Sequence, residues 1–85
     1  MKTQNTFEEY LRKGNLSENT ITSYQWTVDF YNAHYDEVNK ENLLAYKGYL
    51  MEFFKPKTVN LRIQGINKYL EYLHKEHLRL KAVKV

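Results

Sequence analysis

The sequence predicts an all-α domain, four helices with a short extended C-terminal tail, and three observations predict it. One proline and three glycines among 85 residues leave few breakers. The apolar residues recur at spacings of three and four rather than in alternation, which is the helical period. Cysteine is absent, which removes a disulfide framework, a thiol nucleophile and a thiolate metal site together, so one apolar core has to hold the fold.

A first helix over about residues 6–13 is announced by Thr6 and Glu9 at capping-box spacing. It buries Phe7, Tyr10 and Leu11 and stops at Gly14, read as the left-handed residue after the last turn. Ser17 or Asn19 then caps a longer second helix, with Glu18 at its positive end and Ile21, Tyr24, Val28 and Tyr31 along one stripe. The polar stretch from Asp36 to Asn39 ends it. Asn39 caps a third helix whose core stripe is Leu43, Tyr46, Leu50 and Phe53, and Lys55-Pro56 closes that helix. The fourth begins near Pro56 to Thr58, a first turn being where proline is tolerated, and is expected to run to about His77. Val59, Ile63, Ile66, Leu70 and Leu73 form its buried face. Beyond it, Leu80-Lys81-Ala82-Val83-Lys84-Val85 is β-prone and reads as a connector. The expected organisation is therefore one domain over residues 1–79 and the start of a linker over 80–85.

A chain of this length buries roughly 60–65% of its unfolded surface, which leaves little for a deep substrate pocket and argues against a self-contained enzyme. The longest uninterrupted apolar run, Leu43 to Tyr46, is far below the ~18 residues of a membrane span, and the N-terminus has no signal-like apolar core. No membrane partner is expected.

Charge is distributed unevenly. Residues 1–42 carry four cations against seven acids, whereas residues 43–85 carry nine cations against three acids. No acid occurs between Glu52 and Glu71, where Lys55, Lys57, Arg62 and Lys68 fall. A cationic segment of this kind marks a polyanionic partner. On the fourth helix, ~100° per residue puts Lys57, Leu61, Gln64, Lys68 and Lys75 opposite the core stripe, with Thr58 and Arg62 on one flank and Asn60 on the other. Lysine, arginine, glutamine, threonine and asparagine are the side chains that hold phosphates and read base edges. A merely solvated basic face would have the same composition.

Other constellations carry less. His74 and His77 are three apart, but only Glu71 and Glu76 lie near enough to complete a metal site, so they read as helix-end imidazoles and no metal or cofactor is expected. Gly14, Gly48 and Gly65 stand alone and form no phosphate loop. Eight tyrosines are many for this length, yet Tyr10, Tyr24, Tyr31 and Tyr46 sit on core stripes, where a phenol supplies mainly apolar area. Trp26 lies off the main stripe, either stacking on a base or sugar or packing on a neighbouring helix. Gly65 either admits a close backbone or serves no purpose.

In order and spacing, Phe7-x-x-Tyr10-Leu11, then Leu16-Ser17-Glu18-Asn19-Thr20-Ile21-x-x-Tyr24, then Pro56-Lys57-Thr58-Val59-Asn60 leading to Tyr69-Leu70-x-x-Leu73, resemble the N-terminal core-binding domain of phage-integrase-type tyrosine recombinases. The resemblance covers about residues 4–77. It implies a four-helix, SAM-like domain forming half of a C-shaped clamp on double-stranded DNA, its second and fourth helices facing the duplex. Ser17, Asn19 and Thr20, with Lys57, Thr58, Asn60 and Arg62, match the positions with DNA contact, and the acid-free segment adds Lys55, Gln64 and Lys68. Family members often carry a basic residue where Leu61 stands, and the second helix has Thr22, Ser23 and Gln25 where cations are common.

In that family a separate catalytic domain activates the phosphodiester with arginine and histidine, and a tyrosine attacks to give a 3′-phosphotyrosine. None of this machinery is matched here; His77-Leu78-Arg79 lacks the flanking residues of the catalytic box, so no catalytic residue is assigned. By resemblance the partners are duplex DNA, the catalytic domain of the same parent chain and other recombinase protomers, in a bacterial or phage-encoded cytoplasmic protein acting in DNA integration or excision. The competing reading is a helical protein-interaction domain of the SAM or death-domain kind that docks an acidic partner.

Overall fold

A computed structural model of the chain describes residues 6–84. Four helices follow one another, α1 (Thr6–Lys13), α2 (Glu18–His34), α3 (Lys40–Phe53) and α4 (Pro56–Tyr72), then a 3-10 turn at Glu76–Leu78 and an extended tail. No strand occurs among the described residues, and no helix is long and apolar enough to cross a membrane. The capping box expected from Thr6 and Glu9 rests on a Thr6 side chain outside the described ones.

Two of the expected caps form. The Ser17 hydroxyl accepts from the Thr20 amide at 3.2 Å, and Asn39 Oδ1 accepts from the Asn42 amide at 2.8 Å, each satisfying one orphan donor of a first turn. α4 starts at Pro56, with Lys55 in extended conformation before it and no side-chain cap.

Helix ends differ from the expectation in two places. The left-handed residue after α1 is Asn15 (φ 61), not Gly14. Amides 14 and 15 both bond three residues back, to Leu11 and Arg12, so the turn tightens first and reverses one residue later. α4 stops at Tyr72 rather than near His77. His74 (φ 61) is left-handed, its amide bonds the Glu71 carbonyl and the Lys75 amide bonds the Leu70 carbonyl, which is a Schellman closure built on histidine instead of glycine.

The core is organised around α4, which packs on α1, α2, α3 and the 3-10 turn, most extensively on α2. One cluster joins Tyr31, Leu43, Tyr46, Leu50, Val59, Ile63, Ile66 and Leu70; another joins Phe7, Leu11, Ile21 and Val28. Tyr10, Tyr24 and Leu73, expected in the core, are half-buried. Phe53 is 64% exposed, because α3 ends there and the next residue, Phe54, takes the place against the cluster. Where α2 crosses α4, Gly65 is buried and a Cβ on it would lie 3.1 Å from Tyr24 Cδ1 and 3.3 Å from Tyr24 Cα. Close backbone approach is therefore the reason for glycine at this point.

The tail is extended, as expected, and also anchored. Leu80 is 8% exposed and joins the main cluster. Asn67 donates to the Leu80 carbonyl (2.9 Å) and accepts from its amide (2.8 Å); Asn60 does the same with Val83 (2.9 and 2.7 Å). Two asparagines two helical turns apart thus hold the tail antiparallel to α4.

Candidate nucleic-acid interface

The candidate interface lies where α2 and α4 pack side by side. Gly65 lets the two backbones meet, and polar side chains bridge the seam on either side: Tyr24 donates to Gln64 Oε1 at 3.3 Å, and Arg62 Nη1 donates to Ser23 Oγ at 3.3 Å and Thr27 Oγ1 at 3.4 Å. The Arg62 guanidinium also lies over the Trp26 ring, 4.4 Å from its centroid, while Trp26 stacks on Phe30 at 5.5 Å. Trp26 remains 47% exposed.

Arg62 has no carboxylate partner among the described residues. The ion pairs among the described residues are Arg12 with Glu8 and Glu18, and Lys68 with Glu71. Arg62 Nε is buried and without a hydrogen bond, and its neighbours are neutral hydroxyls and an indole. A guanidinium fixed among neutral groups has no opposite charge beside it and loses little freedom on meeting an anion.

The sequence-derived residues fall at several places along this seam. Asn19 and Arg62 share a hollow with Thr22, Ser23 and Trp26. Lys57, Thr58, Asn60 and Gln64 line another with the exposed Leu61. Lys55 and Lys57 are exposed at the α4 N-terminus and form no ion pair, so their charge is also uncompensated. Ser17 and Thr20 stand at the start of α2, where they bond each other: the Ser17 hydroxyl donates to Thr20 Oγ1 at 3.0 Å while capping the helix.

Two residues are drawn elsewhere. Both polar atoms of the Asn60 amide are engaged by Val83, so Asn60 holds the tail although it borders the hollow. Lys68 is paired with Glu71 at 3.0 Å and lies 5.8 Å from the Tyr10 ring centroid, towards α1. Glu71 in turn accepts from the Tyr10 hydroxyl at 2.7 Å, and these two hydrogen bonds hold its carboxyl below the usual carboxylate range. The charge of Glu71 is therefore paired within the fold.

Sequence reasoning did not single out Ser23 and Thr27 as the supports of Arg62, nor Trp26 as its platform. A signal exists: Ser23, Trp26, Thr27 and Phe30 recur at three, one and three, a second stripe beside the core stripe of α2. Arg79, which lines a further hollow with Gln64, Asn67, Lys68 and Glu71, had no local signal, because only the Schellman closure returns it to α4.

The chain is 33% identical over 76 residues to a tyrosine recombinase XerD-like protein of Lactococcus lactis subsp. cremoris (strain SK11), a match covering 87% of this chain and 32% of that one. It is 27% identical over 77 residues to a TnP I resolvase of Bacillus thuringiensis, covering 79% of this chain and 27% of the resolvase. The chain thus spans a third or less of the length of these curated relatives. No protein-family model and no solved structure matches it.

Proposed function

We propose that this chain is the DNA-holding module of a site-specific tyrosine recombinase and that it grips duplex DNA across the α2–α4 seam without doing chemistry itself. Strand exchange through a phosphotyrosine then belongs to the remainder of a parent protein of the kind its relatives are named for. The observation that carries the reading is Arg62, a guanidinium without a carboxylate, braced by Ser23, Thr27 and Trp26 between two helices. Lys55 and Lys57 extend the same uncompensated charge along α4, and its first turn offers amides that no side chain caps. These are donors for phosphate oxygens, so the grip is mostly on the backbone and its sequence preference modest.

Trp26 is the single tryptophan and touches Arg62, so its fluorescence reports on this seam. Titration with duplex DNA is expected to change that emission, with an affinity whose logarithm falls against log salt at a slope of about −5 if six phosphates are neutralised. Arg62→Ala is expected to weaken binding about tenfold, and Arg62→Lys to recover only part of it, since lysine keeps the charge and loses the planar stack. Binding unchanged in Arg62→Ala overturns the proposed seam. Absence of salt-dependent DNA binding, together with capture of an acidic protein, transfers the assignment to the protein-interaction reading.

A further inference from the structure

Gly65 has a place in the fold, but Gly48 has none. It lies midway along α3, exposed, and a methyl group added there would meet nothing within 4 Å. A glycine inside a helix weakens it relative to alanine, and no contact within the chain requires one at this point. The residues around it form a pattern. Leu44 and Met51, 51% and 55% exposed, stand four before and three after Gly48, on a stripe opposite the buried Leu43, Tyr46 and Leu50. Lys40 and Lys47 border the stripe on one side, Glu41 and Glu52 on the other, and none of the four is ion-paired among the described residues.

We propose that this face of α3 receives a second copy of the chain, with the two α3 helices side by side and parallel. The charges select both the occupant and its direction. In a parallel pair the lysine flank of one helix lies along the glutamate flank of the other, and Lys47 and Glu52 are five residues apart, the offset at which facing flanks of parallel helices meet. An antiparallel pair sets lysine flank against lysine flank. A two-fold axis along the helices makes each Lys47–Glu52 contact twice, and Leu44 and Met51 of both copies close over the axis. Glycine at the centre lets the backbones approach, which supplies the reason for Gly48 that the single chain does not. The proposal stands on α3 alone and shares no residue with the DNA-holding seam.

Sedimentation equilibrium over a concentration series, with the wild type and the variants Lys47→Glu, Glu52→Lys, their double exchange and Gly48→Ala, tests it. All four changes lie on the helix surface, so circular dichroism is expected to be unaltered. The wild type is expected to dimerise reversibly. Each single reversal weakens association roughly tenfold, and the double exchange restores it. Gly48→Ala is expected to act in opposite directions: dimerisation weakens, while the melting temperature of the dilute protein rises by about 4–8 °C. A wild type that stays monomeric throughout, single reversals without effect on association, or a Gly48→Ala chain that gains stability with association unchanged each overturns the proposal.

Discussion

Single residues here do work that their type does not announce, and tyrosine is the clearest case. Tyr31 and Tyr46 are core residues that carry a hydroxyl to the edge of the cluster, where Tyr31 donates to the Glu37 carbonyl at 2.7 Å and Tyr46 reaches the Thr27 carbonyl at a long 3.4 Å. Burial pushes the Tyr46 phenol up from 10.0 to about 12. A group whose acid form is favoured by folding contributes stability in full below its ordinary value and loses that contribution as pH rises through the folded one. Thermal stability is therefore expected to fall between pH 10.0 and about 12, and Tyr46→Phe to flatten that fall while costing little at neutral pH, because the lost hydrogen bond is weak. Melting curves of the two proteins across the alkaline range check this; equal slopes would exclude Tyr46 as a source. At this scale the sequence is legible where a side chain acts on its own turn, as with Ser17 and Asn39. It is opaque where the backbone chooses between neighbours, as with Gly14 and Asn15, because either residue type can be left-handed and the turn closes on both amides alike, to Leu11 and Arg12.

At the scale of elements, the apolar stripes placed all four helices, and the errors lie at helix ends and in the tail. His74 carries no stop signal comparable to glycine, so α4 reads as longer than it is. From the sequence Asn60 reads as a DNA contact and Asn67 carries no signal of its own; their task rests on contacts 23 and 13 residues away, which no local pattern encodes. Replacing both by alanine removes four hydrogen bonds and is expected to cost about 2 kcal/mol, since the freed backbone returns to water rather than staying buried. Hydrogen exchange at the Leu80 and Val83 amides is the direct measurement. Both should be protected in the wild type and exchange rapidly in the variant; protection that survives would mean that burial of Leu80 alone holds the tail. The candidate interface shows the same division. The acid-free face of α4 was readable from its period, but the pairing of Arg62 with Ser23 and Thr27 spans more than 30 residues and needed the crossing at Gly65.

For the molecule as a whole, charge and stability are separate matters. The core is apolar and aromatic, and the ion pairs are few and lie at the surface, with Arg12 bridging Glu8 and Glu18 at the start of α2. Exposed pairs of this kind contribute little and are screened by salt. The melting temperature is accordingly expected to change by only a few degrees over the salt range in which the proposed DNA binding is expected to weaken steeply; parallel losses in both would mean that salt acts on the fold and not on the proposed interface. The central place of α4 has a further consequence, for the order in which the chain is made. Synthesis proceeds from the N-terminus, and the helix against which α1, α2 and α3 all pack is the last of the four to appear. Until residues 56–72 have left the ribosome, the apolar stripes of α2 and α3 have no α4 to cover them. The Asn60 and Asn67 clamps wait longer still, for Leu80 and Val83. Apart from the α1–α2 cluster of Phe7, Leu11, Ile21 and Val28, the core is therefore expected to close only after α4 has emerged.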